Sequence, residues 1–197
     1  SSEITLQPLK RFNLDAAIIF SDILMIPYGL GQEVEFIKNK GPILSKFNMN
    51  LFLNNNKKNF IKKLNPVYEA IRKTRKKLNK KKSLISFVGA PWTLAVYMLG
   101  LKKKKNEIDL KKLRDNKTEI KIIINKLNEY LCAHIENQIG AGADIVQVFD
   151  SWAGLIPNHN LHDYCYTPNK KIVNFCRTIK TPVICFPRGI NKNYLTF

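Results

Sequence analysis

The chain has 197 residues, 45% of them hydrophobic and 10% aromatic, with a formal net charge of +18. That length and composition suit one folded domain with a sizeable core and exclude a disordered chain. The apolar runs fall far short of the ~20 residues a membrane-spanning helix needs. The N-terminus shows no charged-then-apolar signal pattern, so a soluble cytoplasmic protein without membrane contact is expected.

Taken in chain order, the first predicted element is a strand over residues 16–20. It delivers Ser21-Asp22 to the point where the apolar run gives way to a loop containing Pro27, Gly29 and Gly31. A carboxylate there is not core filling, because burying a charge without partners is costly. The polar tract 54–59 reads as an exposed loop. Leu64, Val67, Ile71 and Leu78 recur at helical spacing, with basic residues on the opposite face. A second strand over 84–88 leads into Gly89-Ala90-Pro91-Trp92-Thr93. A longer helical stripe runs through Ile120, Ile123, Ile124, Leu127, Leu131 and Ile135 and stops near Gly140-Ala141-Gly142. A third strand over 145–149 ends at Asp150-Ser151-Trp152-Ala153-Gly154. Thr167-Pro168-Asn169 opens a third helix, with proline suited to its first turn. A fourth strand covers 183–186.

Strand and helix in alternation predict an α/β protein with a parallel sheet and crossover helices. Four strands make either a small open sheet or part of a (β/α)8 barrel, which has eight strands over ~250 residues. Polar residues placed repeatedly just after strands are how a parallel α/β enzyme builds its site.

The charge invites a nucleic-acid reading. Lysine outnumbers arginine 27 to 6, whereas nucleic-acid sites favour arginine for bidentate and stacking contacts. The lysines, including the run 102–105, fall on helix-patterned or loop segments, so a solvated basic surface is preferred and no nucleic-acid partner is expected. Cys132, Cys165, Cys176 and Cys185 show no C-x-x-C spacing and read as reduced thiols. His159 and His162 lie in a polar stretch that reads as a loop or helix start.

Five segments together resemble the uroporphyrinogen decarboxylase family. They are Leu6-Gln7-Pro8-Leu9-Lys10-Arg11-Phe12, Asp15 through Leu24, Gly89-Ala90-Pro91-Trp92-Thr93-Leu94, Phe149-Asp150-Ser151-Trp152-Ala153-Gly154 and the weaker Phe186-Pro187-Arg188-Gly189. They occur in the family's order across nearly the whole chain. The resemblance implies a partial (β/α)8 TIM barrel, with these strands as approximately the second to fifth of the family barrel. Residues 1–197 are then one domain truncated at both ends, without the family's N-terminal arginine motif or its C-terminal histidine. The sheet of such a piece has two unpaired edges, which makes folding and turnover by it alone doubtful.

The implied activity is removal of carbon dioxide from the four acetate arms of uroporphyrinogen III to give coproporphyrinogen III, with no metal or organic cofactor. A pyrrole protonated on a ring carbon becomes the electron sink, so the enzyme must stabilise positive charge in a poorly solvated pocket, the charge-reversed counterpart of an oxyanion hole. By the resemblance, Asp22 is the catalytic and substrate-binding carboxylate that receives the central pyrrole N–H groups. The alternative for Asp22 is capping of the turn that follows. Tyr97 and Ser151 match substrate-contacting positions, where hydroxyls hydrogen-bond carboxylates. On spacing alone Tyr97 reads equally as packing. Phe149 is a candidate pocket lining, and Arg188 ranks below Tyr97 and Ser151 as a carboxylate partner. Strand alternation tends to turn Asp150 away from the site. The reading requires Asp22 to open on a space shared with Tyr97 and Ser151.

One departure lies after Tyr97-Met98, where Leu99-Gly100-Leu101 and four lysines replace the acidic residue and Gly/Ser-rich loop usual in the family. The resemblance further implies a homodimer. The rivals are a zinc- and cobalamin-linked methyltransferase of the same superfamily, which would need closely placed Cys/His ligands, and a basic nucleic-acid-binding protein.

Overall fold

Four strands run parallel and in chain order, each joined to the next through helical segments on one side of the sheet. The computed structural model describes residues 1–38, 41–104, 107–195 and 197. Helix α1 (Ser2–Arg11) precedes β1 (Ala16–Ile18). After β1 come α2 (Met25–Gly29), a hairpin of β2 (Val34–Ile37) and β3 (Gly41–Leu44), then α3 (Met49–Asn54) and α4 (Lys57–Lys77). Strand β4 (Ser83–Gly89) is followed by α5 (Pro91–Met98), a second hairpin of β5 (Lys102–Lys104) and β6 (Glu107–Ile108), then α6 (Leu110–Asp115) and α7 (Lys117–Gly140). Strand β7 (Ile145–Asp150), short turns, α8 (Thr167–Thr178) and β8 (Val183–Pro187) complete the order β1-β4-β7-β8. Among the described residues no helix is long and apolar enough to cross a membrane.

All four predicted strands and all three predicted helices are present, and the chain is α/β with a parallel sheet. Four details differ. The first strand ends at Ile18, two residues short of the expected Phe20. Helix α4 begins inside the polar tract expected to be a loop, because Asn56 caps it by accepting the Asn59 N–H at 2.8 Å. Lys102–Lys104 is a strand, not a helix or loop, while Lys105 of the same run lies outside the described residues. The two hairpins were not anticipated.

The sheet has one covered and one open face. Ala17, Leu84, Val88, Val146 and Val148 are buried under the helices. On the other face the register aligns Ile18 with Ile85 and Ile145, Phe87 with Gln147 and Ile184, and Phe149 with Phe186. At the edges of this face Ile18 is 50% exposed, Phe20 59%, Ile184 44% and Phe186 45%. Parallel sheets are normally covered on both faces, so an apolar row in the open is the fold's most unusual feature.

Two glycines show how tightly the covered side is built. Gly142 ends the α7–β7 turn at φ +110°, and an added Cβ would lie 2.8 Å from Arg75 Cγ. Gly154 brings the loop after β7 so close to the loop after β8 that a Cβ would sit 2.7 Å from the Gly189 carbonyl oxygen.

Candidate active site

Asp22, Tyr97, Ser151 and Arg188 follow the C-terminal ends of β1, β4, β7 and β8 in the chain, while Phe149 and Asp150 are the last two residues of β7. Asp22 follows β1 and is half-buried. Its Oδ1 accepts the Leu24 N–H at 2.7 Å, so the capping role is real. The carboxylate has a second oxygen, for which no hydrogen-bond partner occurs among the described residues. Asp22 lines two adjoining clefts: one of about 540 Å³ with Ile4, Phe20, Met25 and Phe36, and one of about 310 Å³ with Tyr28, Val34 and Lys63.

Tyr97 occupies the last turn of α5, a helix that is apolar on almost every side and buried on all of them except at Tyr97. Its ring lies 6.0 Å from that of Trp152, tilted by 58°. Burial raises the pKa of its hydroxyl, the Trp152 side chain lowers it, and the Asp22 charge adds to the rise. The phenol is therefore protonated at neutral pH and available as a donor. Tyr97 also borders a cavity of about 350 Å³ with Phe47, Leu99 and Lys112.

Ser151 follows β7, half-buried, in a loop fastened by its backbone. The Trp152 N–H donates to Thr93 Oγ1 at 3.1 Å, and the Trp152 carbonyl accepts from Trp92 Nε1 at 2.9 Å. The Gly154 N–H donates to the Arg188 carbonyl at 2.9 Å, and the Arg188 N–H to the Asp150 carbonyl at 3.1 Å. Side chains on α5 and backbone on the β8 loop thus fix the segment that presents Ser151 and Trp152.

Asp150 turns away from Ser151, as strand alternation requires. It is 1% exposed, accepting from Thr93 Oγ1 at 2.7 Å and from Asn169 Nδ2 at 3.2 Å. Burial pushes its pKa up to about 6, against the opposing pull of hydrogen bonds from Thr93, Asn169 and Cys165. Thr93 Oγ1 donates to Asp150 and accepts from Trp152, so the buried acid orients the loop through one hydroxyl.

Trp152, the chain neighbour of Ser151, is the ring neighbour of Tyr97. Asp22 is close enough for its charge to act on the Tyr97 hydroxyl. The shared space expected of the three is not found in these clefts: Asp22 and Tyr97 line different ones, and Ser151 lines none of them. Phe149 lies on the open sheet face, edge-on to Phe87 at 5.5 Å, and Arg188 is exposed after β8. Trp152 and Thr93 were not singled out from the sequence, although both lie within motifs quoted above. Lys102, whose Nζ stands 4.1 Å from the Trp152 ring centroid, was read as part of a solvated run.

The four cysteines are free. Burial pushes Cys176 and Cys185 up to about 11 and raises Cys132 and Cys165 as well, which disfavours the thiolate. Among the described residues no three His, Cys, Asp or Glu side chains group as metal ligands.

A parallel α/β sheet with its polar residues beyond the strand ends defines the class. The fold is shared with a solved methyltransferase from Methanosarcina mazei, at a TM-score of 0.68 and 16% identity, over 93% of this chain and 54% of that one. The family model for uroporphyrinogen decarboxylase (URO-D) matches residues 1–197, and the chain belongs to that family. It is 42% identical to the uroporphyrinogen decarboxylase of Rickettsia bellii over 100% of this chain and 59% of the relative. To that of Orientia tsutsugamushi it is 45% identical over 98% of this chain and 57% of the relative. The chain therefore spans less than three-fifths of the length of these curated relatives.

Proposed function

We propose that the protein decarboxylates the four acetate side chains of uroporphyrinogen III in turn, giving coproporphyrinogen III. The observation that carries this reading is the 42–45% identity, over 98–100% of the chain, to relatives bearing that enzyme's name. In each step a proton adds to a ring carbon. The bond between the acetate methylene and its carboxylate then breaks, and the electron pair enters the cationic ring as CO2 leaves. Protonation of the methylene carbon and loss of the ring proton restore the pyrrole. The net change is one proton consumed and one CO2 released, with no net oxidation or reduction, and the protonated pyrrole itself serves as the electron sink that an organic cofactor would otherwise supply.

Asp22 supplies the negative charge that holds the pyrrole N–H groups and stabilises each ring cation, the oxygen left over from the Leu24 contact being available for this. Tyr97 and Ser151 donate to substrate carboxylates. The order β1-β4-β7-β8, which never reverses, and the open apolar face both suit four neighbouring strands of a (β/α)8 barrel. On this reading residues 1–197 form one part of a single barrel domain, whose other strands cover Ile18, Phe20, Ile184 and Phe186. A cytoplasmic homodimer accords with the same reading.

The second reading is a methyl-transferring enzyme of the same fold, with which the likeness to the Methanosarcina mazei structure is compatible. At 16% identity that likeness concerns fold only, and zinc bound at one ion per chain in the purified protein would favour it.

The test is Asp22→Asn, made in the protein with whatever sequence flanks residues 1–197 in its gene, with uroporphyrinogen III as substrate. Loss of a preorganised charge predicts a fall in turnover of about 10²-fold or more, with an unchanged circular dichroism spectrum. Near-normal turnover would refute the assignment.

A further inference from the structure

Lys102 occupies a more defined position than its neighbours in the lysine run. The residue before it, Leu101, is fully buried; its N–H donates to the Val96 carbonyl at 3.0 Å and its carbonyl accepts the Asp109 N–H at 2.8 Å. Lys102 itself pairs with Ile108 across the β5–β6 hairpin. Its backbone is thereby rooted in the core four residues after the end of α5, in the connection that carries Tyr97.

The side chain crosses to the loop after β7. Its ammonium sits over the face of Trp152, at 4.1 Å from the ring centroid, and the same indole lies 6.0 Å from the Tyr97 ring. The Trp152 backbone is held at both its N–H and its carbonyl, and its indole lies beside the Tyr97 ring, so the platform beneath the ammonium is anchored at its root. Attraction to the ring orients the cation while leaving its three N–H donors unspent. Nearby cations are engaged elsewhere: Lys103 pairs with Asp109 at 3.5 Å, and Lys112 donates to the Leu99 carbonyl. Among the described residues no carboxylate pairs with Lys102.

We infer that Lys102 is a carboxylate-binding residue of this site, receiving one of the peripheral acidic arms of a polyanionic macrocycle at the rim marked by Trp152 and Tyr97. The inference rests on the proposed function and adds to it a named partner for the substrate's periphery. Phe87 and Phe149 near the C-terminal ends of their strands suit the macrocycle, and Asp22 attracts its central N–H groups, but the same negative charge repels its carboxylates. Those arms must find cations away from Asp22. Lys102 is poised to serve as one, and a lysine's point charge tolerates the changing position of an arm better than a rigid fork does.

The experiment compares wild type, Lys102→Met, Lys102→Arg and Lys103→Met in the protein with its native flanking sequence. It measures KM and kcat with uroporphyrinogen III and, separately, binding of the octacarboxylate uroporphyrin by tryptophan fluorescence at low and raised ionic strength. Methionine keeps the apolar stem and removes the charge. Lys102→Met is expected to raise KM and weaken uroporphyrin binding about tenfold at low salt, with kcat nearly unchanged and the difference shrinking as salt rises. Lys102→Arg should restore most of the affinity, and Lys103→Met should behave as wild type. Lys102→Met within twofold of wild type in both readouts overturns the inference and leaves the proposed function standing. A wild type that neither binds uroporphyrin nor converts uroporphyrinogen overturns both.

Discussion

Asp150 shows how a residue outside the site can set the site's geometry and its pH response. Its carboxyl has an ordinary pKa of 3.8 and is pushed up to about 6 in the fold, chiefly by burial. The folded state therefore binds the proton more tightly than the unfolded state. Its contribution is most favourable below about pH 4, where both states are protonated, and is lost as pH rises through about 6. At 1.36 kcal/mol per unit the charge costs the fold about 3 kcal/mol at neutral pH. His134 supplies the opposite slope. Fully buried between the Tyr68 hydroxyl at 2.9 Å and Gln138 at 3.1 Å, it is pushed down from 6.5 to about 3, so its contribution to stability is present above 6.5 and lost as pH falls. A single wild-type curve blends the two, and the difference between wild type and Asp150→Asn isolates the acid. Denaturant titrations from pH 3.5 to 7 should show the variant gaining about 3 kcal/mol relative to wild type. A difference independent of pH would show that Asp150 is not ionised at a cost.

At the scale of elements, the end of the sheet opposite the site is fastened by one guanidinium. Arg75, near the C-terminus of α4, donates to the Leu78, Asn79 and Lys82 carbonyls and to Asp144 Oδ2 at 2.8 Å. The same Asp144 oxygen accepts the Leu84 N–H at 2.7 Å. One side chain thus ties the end of α4 to the start of β4 and to the α7–β7 turn, where Gly142 makes room for it. Arg75→Ala strands several part-buried acceptors together and should cost about 2–3 kcal/mol in urea unfolding. Arg75→Lys should recover little of this, since an ammonium cannot span three carbonyls and a carboxylate. A loss below about 0.5 kcal/mol would show the contacts to be redundant.

Which elements were legible follows from their physics. Helices α4 and α7 carry an apolar stripe against a polar face, and the four sheet strands are apolar runs bounded by turn residues. Helix α5 has no polar face to set against an apolar one, being buried all round, and α1 contains Pro8. The hairpins use strands of two to four residues, too short to show alternation. Among the candidate residues, Asp22 stood out because it follows an apolar strand, a position that its cap of the next turn also explains, whereas Ser151 and Tyr97 were singled out by the family resemblance. The approach of Lys102 to Trp152 was not legible, because fifty residues separate them and only the fold brings them together.

For the molecule as a whole, the open face and the charge belong to one account. Near the C-terminal ends of β4 and β7, Phe87 and Phe149 present an apolar surface, with Asp22 after β1 and Lys102 in the connection after β4. A net charge of +18 raises the local concentration of any polyanionic ligand without specifying where it binds. On the proposed function, orientation then falls to single groups, above all the carboxylate of Asp22.

The most direct measurement is an experimental structure of the protein, with its native flanking sequence, bound to reduced coproporphyrinogen. The macrocycle should lie with its pyrrole nitrogens about 3 Å from the Asp22 carboxylate and one peripheral carboxylate on Lys102. A macrocycle bound with its nitrogens turned elsewhere, and Asp22 facing only the clefts lined by Phe36 and Tyr28, would contradict the account.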